Sequence, residues 1–417
     1  GKEGAARALL EAGAGVNAGT GRRPLHAAAE KGSVEMVREL AGKGVEVDAE
    51  DGAGRTALTV ALAFGQEAAA RALLEAGAGV NAGTGRRPLH AAAEKGIVEM
   101  VRELVGKGVE VDAEDGEGRT ALTVALAFGQ EAVARALLEA GAGVNAGTGR
   151  RPFHAAAEKG MVEMVRELAG KGAEVDAEDG EGRTALTVAL AFGQEAAARA
   201  LLEAGAGVNA GTGQRPLHAA AMKGMEEMVR ELAAKGAEVD AEDGEGRTAL
   251  TVALAFGQEG AARALLEVGA GVNAGTGQRA VHAAAEKGLE EAVRLLAGKG
   301  AEVDAEDGEG RTALTVALAF AQEGAARALL EAGAGVNAGT GRRPVLAAAE
   351  RGMVEMVREL VGKGAEVDAE DGEGRTALHE ETVRLMKEAG ADFGGAVQWA
   401  EARGQCFSAE ILQLVQE

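Results

Sequence analysis

Histidine is the residue type in this chain best suited to metal or acid–base chemistry, and five of the six histidines recur every 64 residues. They are His26, His90, His154, His218 and His282. If two pairs of packed helices separate consecutive histidines, helix layers of roughly 8 to 10 Å place them roughly 16 to 20 Å apart. A zinc ion binds its ligands at about 2 Å, so no two of these side chains can share one. The regular spacing therefore favours a structural role.

Two loop motifs resemble ion-binding sequences only superficially. Residues 48–52 (Asp-Ala-Glu-Asp-Gly) suggest a calcium loop, but the alternating acidic positions of an EF-hand are missing and Thr59 stands at the twelfth position. Residues 77–79 and 83–85 are glycine-rich like a phosphate-binding loop, but they follow a helix instead of a strand and recur along the chain. Every candidate catalytic combination is likewise part of the repeat, so we expect no enzyme activity, no metal and no cofactor.

The elements that position these residues repeat with the same period. The segment Arg-Arg-Pro-Leu-His at 22–26 returns at 86–90, and the same proline occurs again at Pro152, Pro216 and Pro344. Ala57 begins a second copy of the template, 33 positions after Pro24 and 31 positions before Pro88. A fixed period of about 33 residues is the signature of a chain that folds as a stack of small units.

Each unit contains two predicted helices. Pro24 suits the first turn of a helix, and Thr56 suits an N-cap. In the first helix, small and apolar residues at i, i+3, i+4 and i+7 predict one buried stripe, made of Leu58, Ala61, Leu62 and Gly65. The second helix is predicted over 34–43 or 67–76, with a similar stripe of Ala70, Leu73, Leu74 and Gly77. Gly77 is expected to end it in the left-handed conformation.

The unit closely resembles the ankyrin repeat. The resemblance is carried by Pro-Leu-His at 24–26, the Ala-Ala and Gly that follow, the Leu-rich second helix and Val-Asn at 80–81. It implies an all-α solenoid of helix-turn-helix units with hairpin-like fingers, in an elongated curved stack, and histidines that bond the backbone at a helix start. The chain departs from the family because the complete Thr-Pro-Leu-His never appears. Its fingers also alternate between long ones, such as 48–57, and shorter ones, such as 81–88.

The period predicts one array over residues 1–376 and a degenerate, self-packed C-terminal cap over 377–417. Residues 1–7 align with 257–263, so we expect the array to begin in the middle of a repeat and the chain to be a fragment of something longer. Residues 378–390 are too few to hold a complete helix pair. The last unit of a stack has no neighbour to cover it, so an atypical ending is expected.

Composition and charge exclude several classes of function. The net charge of −22 argues against nucleic-acid binding, which needs a basic surface. Cys406 is the single cysteine, so an internal disulfide framework is impossible, and no apolar run approaches the ~20 residues of a membrane span. We therefore expect an intracellular, cytoplasmic protein with no membrane contact. The expected partner is a protein or peptide of basic or amphipathic character.

A row of phenylalanines is the first candidate binding surface. It consists of Phe64, Phe128, Phe192, Phe256 and Phe320, and the valine four positions before each one, such as Val60 or Val124, is expected to join it. In the ankyrin family this position resembles the inner-helix site that lines the concave groove where partners bind. Exposed aromatic residues at that position would anchor a partner. The competing interpretation is that each ring lies over the stems of Lys31 and Lys95 and closes the stack.

The charged fingers are the second candidate surface. Short fingers carry Arg86, Arg87, Arg150 and Arg151, while long fingers carry acidic residues with one arginine, as in Glu117 with Arg119 and Glu181 with Arg183. The alternation would match a partner of complementary charge, or the stripes would pair only with each other. In some members of the ankyrin family the finger asparagine is hydroxylated, which makes candidates of Asn81, Asn145, Asn209, Asn273 and Asn337.

The sequence therefore predicts a non-catalytic scaffold that binds a protein or peptide along its concave groove and finger tips. A monomer is expected, with end-to-end contact through the uncapped N-terminus as a further possibility. Two alternatives stay open. The array could be the repeat tail of a larger protein resembling NTPase-type immune receptors, or a structural or engineered spacer with no partner.

Overall fold

A computed structural model describes residues 2–17 and 23–367. The chain divides into two compact units, Gly1–Gln214 and Arg215–Glu417. The predicted cap over 377–417 lies outside the described residues. Within the described ranges all regular elements are α-helices, without a strand of more than an isolated bridge.

The first unit contains thirteen of the described helices. They are α1 (Lys2–Glu11), α2 (Pro24–Lys31), α3 (Val34–Gly42), α4 (Ala57–Ala63), α5 (Glu67–Glu75), α6 (Pro88–Lys95), α7 (Val98–Gly106), α8 (Ala121–Ala127), α9 (Glu131–Glu139), α10 (Pro152–Glu158), α11 (Val162–Gly170), α12 (Ala185–Ala191) and α13 (Glu195–Glu203). From α2 onward the even-numbered helices are the first helices of a repeat, and the odd-numbered ones are the second helices.

The second unit repeats the same order. Its described helices are α14 (Pro216–Met222), α15 (Glu226–Ala234), α16 (Ala249–Ala255), α17 (Glu259–Glu267), α18 (Ala280–Lys287), α19 (Glu290–Gly298), α20 (Ala313–Ala319), α21 (Glu323–Glu331), α22 (Pro344–Glu350) and α23 (Val354–Gly362). The predicted second helices at 34–43 and 67–76 are each confirmed to within one residue at the C-terminal end.

The helix starts follow the predicted chemistry. The hydroxyl of Thr120 is buried and accepts a bond from the backbone N–H of Thr123 over 3.4 Å, so it caps α8. The alternate first helices begin instead with proline at the first helical position, as Pro88 does in α6. Proline is suited to this position because the first backbone N–H groups of a helix have no intrahelical acceptor.

The first helices are buried on all sides, so the single buried stripe predicted from the sequence underestimates the extent of their burial. All six residues from Ala57 to Leu62 are buried in α4, because this helix packs against α2, α6 and its own partner α5. The stripe was wrong at its last positions, since Gly65 and Gly77 are exposed. These glycines have φ of 71° and 88°, so they end the helices in the left-handed conformation, as predicted for Gly77.

Each short finger rests on the long finger before it. The N–H of Gly85 donates to the carbonyl of Gly54 over 2.9 Å, and the hydroxyl of Thr84 donates to Glu50 over 2.6 Å. A Cβ atom placed on Gly85 would lie 2.2 Å from the carbonyl oxygen of Ala53, so the backbones approach too closely for a side chain. The Gly-Thr-Gly motif is therefore a docking element between fingers.

Side-chain amides and carboxylates continue the connection along the fingers. Asp112 accepts a bond from the N–H of Gly143 over 2.8 Å. At the next junction Asn145 accepts from the N–H of Glu174 over 2.9 Å and donates to the carbonyl of Gly172 over 3.1 Å. Aspartate and asparagine thus alternate from one repeat to the next, and each accepts a hydrogen bond from a backbone N–H of the following finger.

The second helices are amphipathic and are joined by exposed ion pairs. In α5, Leu73 is fully buried while Arg71 is exposed and lies 3.2 Å from Glu103 of α7. The same kind of pair joins Arg38 of α3 to Glu75 of α5 over 3.2 Å. Exposed pairs of this kind contribute about 0 to 1 kcal/mol each, so the stack depends mainly on its apolar packing.

Candidate partner-binding face

The five phenylalanines of the predicted row are half exposed. Their side chains retain 52%, 51%, 50%, 54% and 49% of their accessible surface at Phe64, Phe128, Phe192, Phe256 and Phe320. We call these residues the Phe row, with three members in the first unit and two in the second. Together with Leu9 they are the exposed large apolar side chains of the described residues.

Local backbone geometry leaves each ring at the surface. Phe64 follows the last residue of α4, and its N–H still bonds to the carbonyl of Val60 over 3.1 Å. Gly65 then turns the chain toward α5 with positive φ. Phe64 is thus held by the end of a rigid helix instead of a flexible loop, which makes it suitable as an anchor for a partner.

The valines offer a partner much less surface than the phenylalanines. Val60 and Val124 are only 2% and 1% exposed, although Val60 lines a shallow pocket together with Phe64, so their contact with a partner stays a prediction. Although i and i+4 neighbours share one face of a helix, the phenylalanine lies just beyond the last helical turn while the valine lies within it, packed against adjacent first helices. Because each phenylalanine keeps about half of its surface exposed, a lysine stem could cover at most the other half.

The histidines have the predicted structural role. Nε2 of His90 donates to the backbone carbonyl of Arg119 over 2.9 Å, next to the Thr120 cap of the following repeat, and His154 bonds to the carbonyl of Arg183 over 3.0 Å. Burial lowers the pKa of His90 and of His154, although the bond to the carbonyl opposes this shift. Each Nδ1 atom is buried without a partner, so these rings are neutral and carry their proton on Nε2.

The short-finger arginines are paired within the protein. Arg86 forms an ion pair with Glu94 of its own first helix, and Arg87 lies 3.1 Å from Glu110 of the next long finger. Burial and the nearby Arg119 lower the pKa of Arg86. Arg150 with Glu158 and Arg151 with Glu174 repeat this arrangement. These contacts support the interpretation that the charged stripes pair with each other.

The long-finger arginines close their own fingers. Arg119 lies 2.8 Å from Asp115 and 2.9 Å from Glu117, and Arg183 makes the same pairs with Asp179 and Glu181. Desolvation raises the pKa of Asp115, but hydrogen bonds from the Arg119 side chain and backbone outweigh it and lower the pKa overall. Glu117 is 70% exposed, so its carboxylate is still accessible to a partner.

The finger asparagines are engaged in structure. Asn81 accepts from the N–H of Glu110 over 2.9 Å and donates to the carbonyl of Gly108, and Asn145, Asn273 and Asn337 make equivalent bonds. Asn209 occupies the corresponding position in the sequence. Hydroxylation of these residues stays a prediction, and a modifying enzyme would meet side chains that already have both polar atoms bonded.

Comparison with known families decides the identity of the fold. A model described as ankyrin repeats (3 copies) matches residues 1–84, 78–148, 142–212, 206–276 and 269–340, and a model described as ankyrin repeats (many copies) matches 345–380. The chain belongs to the ankyrin-repeat family. This ankyrin-repeat protein is an all-α solenoid of paired repeats, and the family is one of protein-interaction modules.

Curated relatives match parts of this ankyrin-repeat protein. The human Ankyrin repeat and SOCS box protein 16 is 33% identical over 199 residues, which cover 44% of this chain and 44% of that protein. The Caenorhabditis elegans Transient receptor potential cation channel subfamily A member 1 homolog is 30% identical over 184 residues, covering 43% of this chain and 15% of the relative. The chain thus spans less than half the length of either relative.

A solved structure also matches. The human ASB11 ankyrin repeat domain is 28% identical, covers 59% of this chain and 98% of that domain, and has a TM-score of 0.42. Among the described helices, each is too short or too polar to cross a bilayer. No three metal-ligating side chains gather at one point in the part of the chain that the structure describes.

Proposed function

We propose that this ankyrin-repeat protein is a non-catalytic scaffold inside the cell and that its Phe row anchors a protein or peptide partner. The observation that supports the proposal is the half-exposed aromatic side chain at the same position of every second repeat. Burial of apolar surface contributes about 25 cal/mol per Å², so a covered phenyl ring is a substantial source of affinity. Aromatic anchors held on rigid elements are typical of interface hot spots.

The finger tips complete the proposed surface. The short-finger arginines are paired with glutamates and only about one-third exposed, so they are poor anchors for an acidic partner. Glu117 and Glu181 are also paired, with Arg119 and Arg183, but they remain 70% and 72% exposed, so their carboxylates can receive basic groups at the edge of a partner as well. The partner that fits both surfaces is amphipathic, with apolar side chains toward the Phe row and basic side chains toward the long fingers.

The wider context of the chain is part of the proposal. In one curated relative the matched repeats make up only 15% of the protein, which is compatible with the repeat tail of a larger regulatory protein. A spacer without a partner is the alternative, and the experiment below separates it from the scaffold.

A selection from a library of displayed random peptides tests the proposal. Peptides are selected on the intact chain and then assayed on the double variant Phe128→Ala/Phe192→Ala. We expect peptides that bind the natural chain and lose affinity for the variant, while the melting temperature changes little because the rings are half exposed. The matched control is Arg102→Ala, an exposed change on a second helix. A failure to enrich any peptide, or equal binding to the double variant, would overturn the Phe row as an anchor.

A further inference from the structure

Exposed lysines alternate with the Phe row. Lys95 precedes Gly96 at the end of α6 in the same way that Phe64 precedes Gly65 at the end of α4, and both side chains are exposed. Successive first helices pack side by side within the first unit. Their ends therefore present one line of alternating residues, which we call the Lys–Phe row: Lys31, Phe64, Lys95, Phe128, Lys159 and Phe192.

The lysines carry the accessible positive charge of this line. The glutamates before Lys95 and Lys159 are only partly exposed, and each is engaged by a short-finger arginine, Glu94 by Arg86 and Glu158 by Arg150. Lys159 retains 44% of its side-chain surface and lies 4.0 Å from Glu158, which is the outer limit of an ion pair. The lysine ammonium groups can therefore form ion pairs with carboxylates of a partner beside each apolar anchor.

The spacing of the row selects the conformation of a bound segment. Packed helices lie about 8 to 10 Å apart. A polyproline II helix has three residues per turn and rises about 3.1 Å per residue, so every third side chain returns to the same edge after about 9.3 Å. A β-strand returns to the same face after about 6.8 or 13.6 Å. Seven residues of an α-helix advance about 10.5 Å, which is longer than one step of the row, so the mismatch of a helix grows with each further residue of the row that it contacts.

We propose that the Lys–Phe row binds a polyproline II segment in which acidic and apolar residues alternate at every third position. The acidic residues lie against Lys95 and Lys159, and the apolar residues lie against Phe128 and Phe192. The basic side chains that suit the long fingers occupy the intervening positions. The inference rests on the proposed function, since it specifies the partner of the same surface.

The probe is a synthetic fluorescent peptide made of Glu-Pro-Ala-Leu-Pro-Ala repeated in tandem. A second peptide of the same composition places the glutamates and leucines four positions apart, and a third replaces each glutamate by lysine. Binding to the intact chain is measured by fluorescence anisotropy. The peptide with three-residue spacing between glutamate and leucine is expected to bind more tightly than the other two peptides. If the peptide with four-residue spacing bound equally well, the polyproline II assignment would be overturned.

Variants of the chain separate this inference from the proposed function. In Lys95→Glu/Lys159→Glu, affinity for the acidic peptide should fall about tenfold, because two exposed attractions become repulsions, and affinity for the lysine peptide should rise. In Phe128→Ala/Phe192→Ala the acidic peptide and the lysine peptide should both bind more weakly. If this variant lost binding while Lys95→Glu/Lys159→Glu had no effect, the proposed charge pattern would be overturned and the proposed function would stand. No effect of either variant would overturn both.

Discussion

The backbone N–H of Gly149 donates to the carbonyl oxygen of Gly118 over 2.9 Å and so fastens a short finger to the long finger before it. The same bond joins Gly213 to Gly182 in the first unit and recurs twice in the second unit, at Gly277 with Gly246 and at Gly341 with Gly310. The 64-residue period of the sequence therefore corresponds to a pair of repeats whose two unequal fingers dock on each other.

Substitution Gly149→Ala tests this docking. A Cβ atom at this position would lie 2.0 Å from the backbone oxygen of Glu117, so the fingers must separate. Overpacking of this kind costs about 1 to 3 kcal/mol in free energy of unfolding, measured by urea denaturation. The control is Gly116→Ala on the same long finger, where a Cβ atom meets nothing within 4 Å. Similar losses in the two variants would contradict finger docking.

The finger junctions predict an asymmetry between aspartate and asparagine. Asp112 only accepts a bond, from the N–H of Gly143, so Asp112→Asn should leave stability nearly unchanged while Asp112→Ala should cost about 1 kcal/mol. Asn145 also donates to Gly172, so Asn145→Asp should cost about as much as Asp112→Ala. Urea unfolding of the three variants measures these differences. A well-tolerated Asn145→Asp would show that the donated bond contributes nothing.

Stability should decrease as the pH falls below the usual pKa of histidine. Burial lowers the pKa of His90, His154, His218 and His282 below 6.5 in the folded chain. The unfolded chain therefore binds more protons below about pH 6.5, so the free energy of unfolding declines from there downward. The aspartates with lowered pKa, such as Asp115, add to the loss only below the ordinary value of 3.8. Urea titrations at intervals between about pH 7.5 and pH 5 isolate the histidine contribution.

Variant His154→Leu provides the control for this pH dependence. One repeat of the chain already has a fully buried leucine, Leu346, at the position of the histidines. The variant should unfold with a shallower dependence on pH between about 7.5 and 5, because one titrating ring is removed. An unchanged slope would mean that the buried histidines do not govern acid sensitivity.

Ala321 predicts a stabilising change. It has φ of 57°, in the left-handed region, where the equivalent residues of other repeats are glycines such as Gly193 and Gly257. An alanine in this conformation costs roughly 1 kcal/mol, which the greater flexibility of glycine in the unfolded chain partly offsets. Ala321→Gly should therefore raise the free energy of unfolding by about 0.5 kcal/mol. Gly193→Ala should lower it, and a gain of stability there would contradict the strain at this position.

Periodicity made most of the fold predictable from sequence. Helix starts such as Thr56 and stops such as Gly77 depend on local chemistry, so a single sequence specifies them. The burial of Val60 could not be read from its own helix, because it depends on two neighbouring first helices that lie about 33 residues away in the chain. Finger docking was missed for a similar reason. The glycines of 83–85 are consistent with a turn, and only the adjacent backbone shows why a side chain is excluded.

The candidate surface was predicted in part. The exposure of Phe64 was predicted, and the structure shows that it arises because the residue lies just beyond the last turn of α4. The pairing of Arg86 with Glu94 required knowledge of where the short finger lies relative to its own first helix. The alternation of Lys95 with the phenylalanines was visible in the sequence once the two halves of the period were aligned, although its meaning depends on the packing of successive first helices.

The most direct test of the central claim compares two substitutions on one helix end. Phe192 is 50% exposed, whereas Val188, four positions earlier, is 1% exposed. With a peptide selected on the natural chain, Phe192→Ala should weaken binding and keep the melting temperature. Val188→Ala should keep the affinity of the folded protein and cost about 1.5 to 2.5 kcal/mol in free energy of unfolding. Unchanged affinity in Phe192→Ala, or a collapse of its stability comparable to that of Val188→Ala, would contradict the assignment of the Phe row as a partner-binding surface.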